Sequence, residues 1–163
     1  MTNKLGPGSV FPKMAVNIVD GAPINLPDDL EGKYNVILFY RGHWWPYCRR
    51  QLVGFAEHKA ELNKIGVSVV AASVDTGGDS KQVADEVNFP VGEGVTHDIA
   101  HAIGAWWEDR REIIQPSEFI LGLDNKVIAS SYADGPLGRM QAEDVIKLIN
   151  FYESRWSVFW TCK

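Results

Sequence analysis

Positive charge is scarce in this chain. Sixteen Lys and Arg stand against 21 Asp and Glu, a formal net charge of −5. A nucleic-acid footprint needs a basic face and an anionic membrane attracts one, so neither partner is expected. Long hydrophobic runs are missing too. None approaches the ~20 apolar residues of a membrane-spanning helix. The opening Met1-Thr-Asn-Lys-Leu-Gly lacks the charged-then-apolar layout of a secretory signal, which makes the cytoplasm the expected location. Cysteine is nearly absent. Cys48 and Cys162 are the only two. They lie far apart, too few for a disulfide framework or a structural zinc site. There is no internal repeat and no Pro/Gly-rich linker. The 163 residues, 45% of them hydrophobic, are expected to form one domain over residues 1–163.

Strand and helix signals alternate along the chain. Residues 15–20 read as a strand, Asp20-Gly21 as a hairpin turn, and residues 24–26 as the return strand. The apolar run 35–40 suits a strand covered on both faces. Residues 46–65 read as a helix, with Pro46 in its first position and Leu52, Phe55, Ala56, Leu62 and Ile65 as its apolar stripe. Residues 67–74 form the next buried strand, completing a parallel βαβ unit. Helices are expected at 80–87 and 98–103, with a short extended piece at 89–91 between them. A hairpin follows at 118–123 and 126–132, turning at Asp124-Asn125. A last helix runs from 141 to 152. This order predicts a three-layer α/β domain with a mixed sheet.

The chemistry is expected at Cys48. The strand breaks at Arg41-Gly42, an aromatic loop follows, and Pro46-Tyr47-Cys48 opens the helix. Free N–H groups and the positive dipole end of a first turn stabilise a thiolate, the reactive form of cysteine. Arg41, Arg49 and Arg50 lie near it in sequence and add to that effect. The opposite reading is an inert thiol walled off by Trp44 and Trp45. Trp45 stands three residues before Cys48, where a C-x-x-C motif would carry its first cysteine.

The early hairpin and the strand running into Arg41-Gly42-x-Trp44-x-Pro46-Tyr47-Cys48 carry a resemblance. So do Asp98-Ile-Ala-x-Ala-Ile-Gly104 and Phe119-Ile-Leu with Asp124-Asn-Lys-Val-Ile128. Together they resemble the peroxiredoxin-like (AhpC/TSA, redoxin) family over nearly the whole chain. That resemblance implies a thioredoxin-like three-layer sandwich with a mixed central sheet and an N-terminal β-hairpin. It also implies a cofactor-free thiol peroxidase. The Cys48 thiolate would attack a hydroperoxide, and a thioredoxin-, glutaredoxin- or glutathione-like thiol would reduce the product. No metal is implied.

The site departs from the family's pattern. Peroxiredoxins usually read P-x-x-x-T-x-x-C, and here Arg41 and Trp45 stand in the Pro and Thr positions. Indole cannot accept a hydrogen bond as threonine does. Arg41, a permanent donor of fixed shape, is the candidate for holding the peroxide, with a surface ion pair as the alternative. The family arginine near strand 118 is replaced by Gln115-Pro116-Ser117, and Pro116 resembles the cis-proline of thioredoxins. Cys162 stands where some peroxiredoxins keep a resolving cysteine in a C-terminal tail. Its surroundings, Ser157-Val-Phe-Trp-Thr-Cys162, do not match the usual motif, so a free thiol is the alternative. The tail aromatics Trp156, Phe159 and Trp160 suit a homodimer contact. His43 is near enough to serve as a proton carrier. His97 and His101 have a ligand-like spacing but no third ligand. Two other readings remain at this point: a redox-inactive thioredoxin-fold scaffold with a decayed C-x-x-C site, and a monothiol oxidoreductase.

Overall fold

A computed structural model describes residues 3–135 and 137–161, with side chains described up to residue 155. β1 (Met14–Ile18) and β2 (Ile24–Leu26) form the N-terminal hairpin. β3 (Tyr34–Phe39) leads into α1 (Pro46–Glu57) and α2 (Lys59–Lys64), and β4 (Val67–Ala72) returns parallel to β3. α3 (Gly78–Glu86), β5 (Val91–Glu93) and α4 (His97–Ala102) follow. A small hairpin of β6 (Trp107–Glu108) and β7 (Ile113–Ile114) comes next, then β8 (Ser117–Leu121), β9 (Val127–Tyr132) and α5 (Ala142–Thr161).

The main sheet has seven strands in the order β2-β1-β5-β4-β3-β8-β9. β3 pairs parallel with β4 and antiparallel with β8, so the sheet is mixed as expected. All six residues of β3 are buried, because layers cover both faces. Strand alternation sorts them. Val36, Leu38 and Tyr40 meet the cluster under α1, α2 and α5, with Leu52, Phe55, Leu62, Val145 and Ile149. Ile37 and Phe39 meet the other cluster, with Phe11, Ala100, Ile114 and Phe119. Three layers result. Among the described residues no helix is long and apolar enough to cross a membrane.

Three features differ from expectation, the first being the last helix, expected to end at 152 and running to Thr161. The single helix over 46–65 is two, broken at His58 (φ −94°, ψ 10°). The His58 Nδ1 atom lies 2.8 Å from the Gly54 carbonyl oxygen, a side-chain partner for a group at the helix end. The β6–β7 hairpin was not foreseen. Two residues per strand are too short to show alternation, and the charged turn 109–112 between them hides the pairing.

Candidate active site

β3 ends at Phe39 and the chain turns through residues 41–45 before α1 begins. Trp45 caps α1 with extended backbone and no side-chain hydrogen bond, and Pro46 takes the first helical position. Cys48 falls in the first turn and is wholly buried. The Arg41 backbone N–H donates to Cys48 Sγ at 3.3 Å. The turn at Arg41-Gly42 thus brings the chain back over the sulfur, adding a main-chain donor to the dipole end of the helix.

The Arg41 side chain is not on the surface. It is 6% exposed and its Nη2 donates to Glu108 Oε2 at 2.9 Å. Its guanidinium carbon lies 4.6 Å from the Trp45 ring centroid and 5.6 Å from that of Trp44. Its Nε is buried without a hydrogen bond. Glu108 also accepts from Arg111 at 2.9 Å. The other two arginines go elsewhere. Arg49 pairs with Glu86, and exposed Arg50 lies over the Tyr47 ring at 5.7 Å.

Trp45 packs against the core cluster that contains Cys48 and meets Trp44 edge-on at 5.3 Å. Its indole N–H is buried without a partner. Trp45 thus belongs to the same packed cluster as the sulfur. Replacing Trp45 with Ala should cost about 2 kcal/mol of stability through the lost packing. It should also raise the alkylation rate of Cys48 by iodoacetamide at least tenfold. An unchanged alkylation rate would show that some other group covers the sulfur.

A polar cluster stands at the end of β3 and β4. His43 donates its backbone N–H to Asp75 Oδ2 at 2.6 Å, and its ring nitrogens lie 3.2 Å from Asp75 and 3.5 Å from Asp79. These three residues bring possible ligand atoms within 4.8 Å of one another, and they form the only such grouping among the described residues. The histidine's contacts are already met by the two carboxylates. Tyr40 is wholly buried beside Ser73, its hydroxyl without a well-formed hydrogen bond. Burial, then the nearby Asp75 and Cys48, push its phenol above the ordinary range. Across the chain, His97 packs edge-on against Trp107 at 5.1 Å.

On the other side of α1 lies a buried hydrogen-bonded group. Gln51 Nε2 donates to Glu118 Oε1 at 2.9 Å and to the Met140 carbonyl at 2.7 Å. Arg139 Nη1 donates to Gln51 Oε1 at 3.2 Å. Glu118 has no exposure, and burial pushes its carboxyl up to about 7. The hydrogen bond from Gln51 and the charge of Arg139 act in the opposite direction, while Glu118 Oε2 is buried without a well-formed hydrogen bond.

The structure thus brings Cys48, Arg41 and Trp45 together. Pro116 is corrected. The cis peptide bond among the described residues is Leu26–Pro27, and Gln115–Pro116 is trans. The Gln115 N–H donates to the Trp106 carbonyl and the Pro116 carbonyl accepts from Ala133, which carry the chain in extended form into β8. Pro116 still borders the site, one residue before Ser117, the register partner of Phe39. Cys162 lies outside the described residues, as do the side chains of Trp156, Phe159 and Trp160. The sequence reading passed over Tyr40, Gln51, Asp75, Glu108 and Glu118. A carboxylate inside the apolar run Phe119-Ile-Leu and its neighbours was the one visible signal, since buried Glu is rare without a partner.

Comparison with known proteins bears on the family and the fold. The model of the AhpC/TSA family matches residues 7–130. A peroxiredoxin of Treponema denticola is 26% identical over 150 residues, covering 87% of this chain and 71% of that protein. Peroxiredoxin Bcp of Escherichia coli is 30% identical over 108 residues, 65% of this chain and 69% of that one. Among solved structures, Mycobacterium bovis AhpC superposes with a TM-score of 0.78 at 18% identity, covering 93% of this chain and 94% of that one. This last likeness concerns the fold.

Proposed function

The chain belongs to the AhpC/TSA family, and from that premise we propose that it is a thiol-dependent peroxidase acting through Cys48. One observation carries the assignment of the residue: the Cys48 sulfur sits in the first turn of α1 and accepts the Arg41 N–H at 3.3 Å. Both features favour negative charge on sulfur, and the thiolate is the nucleophile.

The thiolate attacks the terminal oxygen of a hydroperoxide. The S–O bond forms as the O–O bond breaks, the leaving alkoxide or hydroxide takes a proton, and Cys48 is left as sulfenic acid. A thiol then condenses with it, releasing water and forming a mixed disulfide. A second thiol frees Cys48 and leaves as the small disulfide. Trp45 at position 45 removes the C-x-x-C partner, so the reducing thiol comes from outside that motif. Thioredoxin-, glutaredoxin- or glutathione-like thiols are the class required. The cytoplasm, where such thiols are kept reduced, is the compartment that suits it. A second copy of the chain is the partner that the tail aromatics suit, with Cys162 as the thiol to test for resolution.

Arg41 is the polar side chain best placed to act on the leaving oxygen. Its charge is permanent, its fork is held by Glu108, and its Nε donor is buried and unused. Arg41→Gln should lower the rate constant for hydrogen peroxide roughly 10- to 100-fold. Stopped-flow oxidation of the reduced protein, with mass spectrometry at Cys48, reads it. An Arg41→Gln rate equal to wild type would leave Arg41 a structural partner of Glu108. The same experiment tests the function itself. Oxidation of wild-type Cys48 no faster than a free thiol's would favour the second reading, a redox-inactive binding protein. Trp45 in the redox position is the observation behind that alternative.

A further inference from the structure

We infer that the polar pocket beside α1 binds the carboxylate of a small anionic thiol, which reduces oxidised Cys48. The inference rests on the peroxidase reading only for the sulfenic acid that the thiol would meet. The pocket has a volume of about 140 Å³ and is lined by Tyr47, Arg50, Gln51, Gly138, Arg139 and Gln141, with Leu137 at its rim. That space takes a carboxylate and a short stem, not a bulky apolar tail.

Its charge is unusual for this protein. The chain as a whole carries −5, yet the lining holds two guanidinium groups and no carboxylate. Arg50 stands apart from the other arginines near Cys48. Arg41 and Arg49 each hold a glutamate, whereas Arg50 has no carboxylate partner among the described residues and lies over the Tyr47 ring. Arg139 is aimed at the floor, where its Nη1 donates to the Gln51 oxygen. Gln51 cannot turn that oxygen away, because its Nε2 is committed to Glu118 and the Met140 carbonyl. Glu118 lies beneath this floor, and burial holds its carboxyl partly protonated near neutral pH, so it opposes an anion less than a full charge would. Guanidinium groups bind carboxylates through charge-assisted, often paired hydrogen bonds.

The pocket shares the first two turns of α1 with the sulfur, which is itself buried and does not line it. Tyr47 adjoins Cys48 in the chain, and Gln51 follows it by three residues, about 4.5 Å along the helix axis. The bound thiol attacks the Cys48 sulfenic acid, the S–S bond forms as the S–O bond breaks, and water leaves. A second molecule of the same thiol then completes the reduction.

The test compares 3-mercaptopropionate with its neutral amide as reductants of Cys48 sulfenic acid. The readout is the ratio of the two rate constants, which cancels effects on the sulfur itself. Arg50→Gln should lower that ratio roughly 3- to 10-fold, and Arg50→Lys should restore most of it. Added salt should also lower the wild-type ratio. A ratio unchanged by Arg50→Gln overturns the inference. The same ratio is read from Cys48 carried as a thiopyridyl mixed disulfide, which needs no peroxide. Slow peroxide oxidation with a shifted ratio would sink the peroxidase reading and keep the pocket. Fast oxidation with a constant ratio would do the reverse.

Discussion

Cys48→Ser should lose peroxide consumption by at least about a thousandfold, because a serine hydroxyl has neither the acidity nor the nucleophilicity of a thiol at neutral pH. No other described residue can replace it, since Cys48 is the cysteine found among them. The substitution is nearly isosteric in a buried position, so the variant should keep its fold, and circular dichroism checks this. Cys162→Ser is the companion variant. If Cys162 resolves the sulfenic acid, its loss should leave the first oxidation step intact and make a Cys48-containing disulfide dimer or loop disappear from non-reducing gels. If Cys48→Ser retained peroxide consumption, the reaction would not run through α1 at all.

The second large effect concerns stability and pH. Glu118 sits on β8 with no exposure, facing α1. Burial is the first cause of its raised carboxyl, which titrates near 7 in the fold against an ordinary 4.5. Gln51 from α1 and Arg139 from the segment before α5 face it and pull the other way. Between those two values the folded protein holds a proton that the unfolded chain has lost. Stability from this group is therefore fully present below pH 4.5 and falls as pH rises toward 7. The size of the loss is about 3 kcal/mol. Glu118→Gln keeps the shape and an acceptor for Gln51 but cannot ionise. Relative to wild type it should gain about that amount of stability between pH 4.5 and 8, read from urea midpoints at each pH. A constant difference between the two proteins across this range would mean that Glu118 is charged and well solvated in the fold.

The legible parts of this protein were the local ones. Residues 24–26 were read correctly as the return strand of the hairpin, because Asp20-Gly21 is a strong turn signal. The start of α1 at Pro46 followed from the restricted φ of proline and its missing N–H. The position of Cys48 in that first turn followed with it. Less legible were the boundaries set by competition. The break at His58 depends on a side chain reaching the Gly54 carbonyl, and no periodicity records that. Pro116 had the composition of a cis-proline site, but the trans form fits the extended entry to β8.

What the sequence alone determined, then, was the thiol at a helix start and the alternation of strands and helices that leads to it. These depend on neighbours a few residues apart, and propensity, capping and turn geometry act over that range. Tertiary structure decided the surroundings of the thiol. Arg41 meets Glu108, and Gln51 meets Glu118, each across 67 positions of chain, while Arg139 reaches Gln51 across 88. Such pairings form only when the sheet order places β8 beside β3 and folds α1 over both. Burial then shifts the chemistry of the groups it encloses, so a glutamate and a tyrosine of ordinary sequence context become the most perturbed acids near the site.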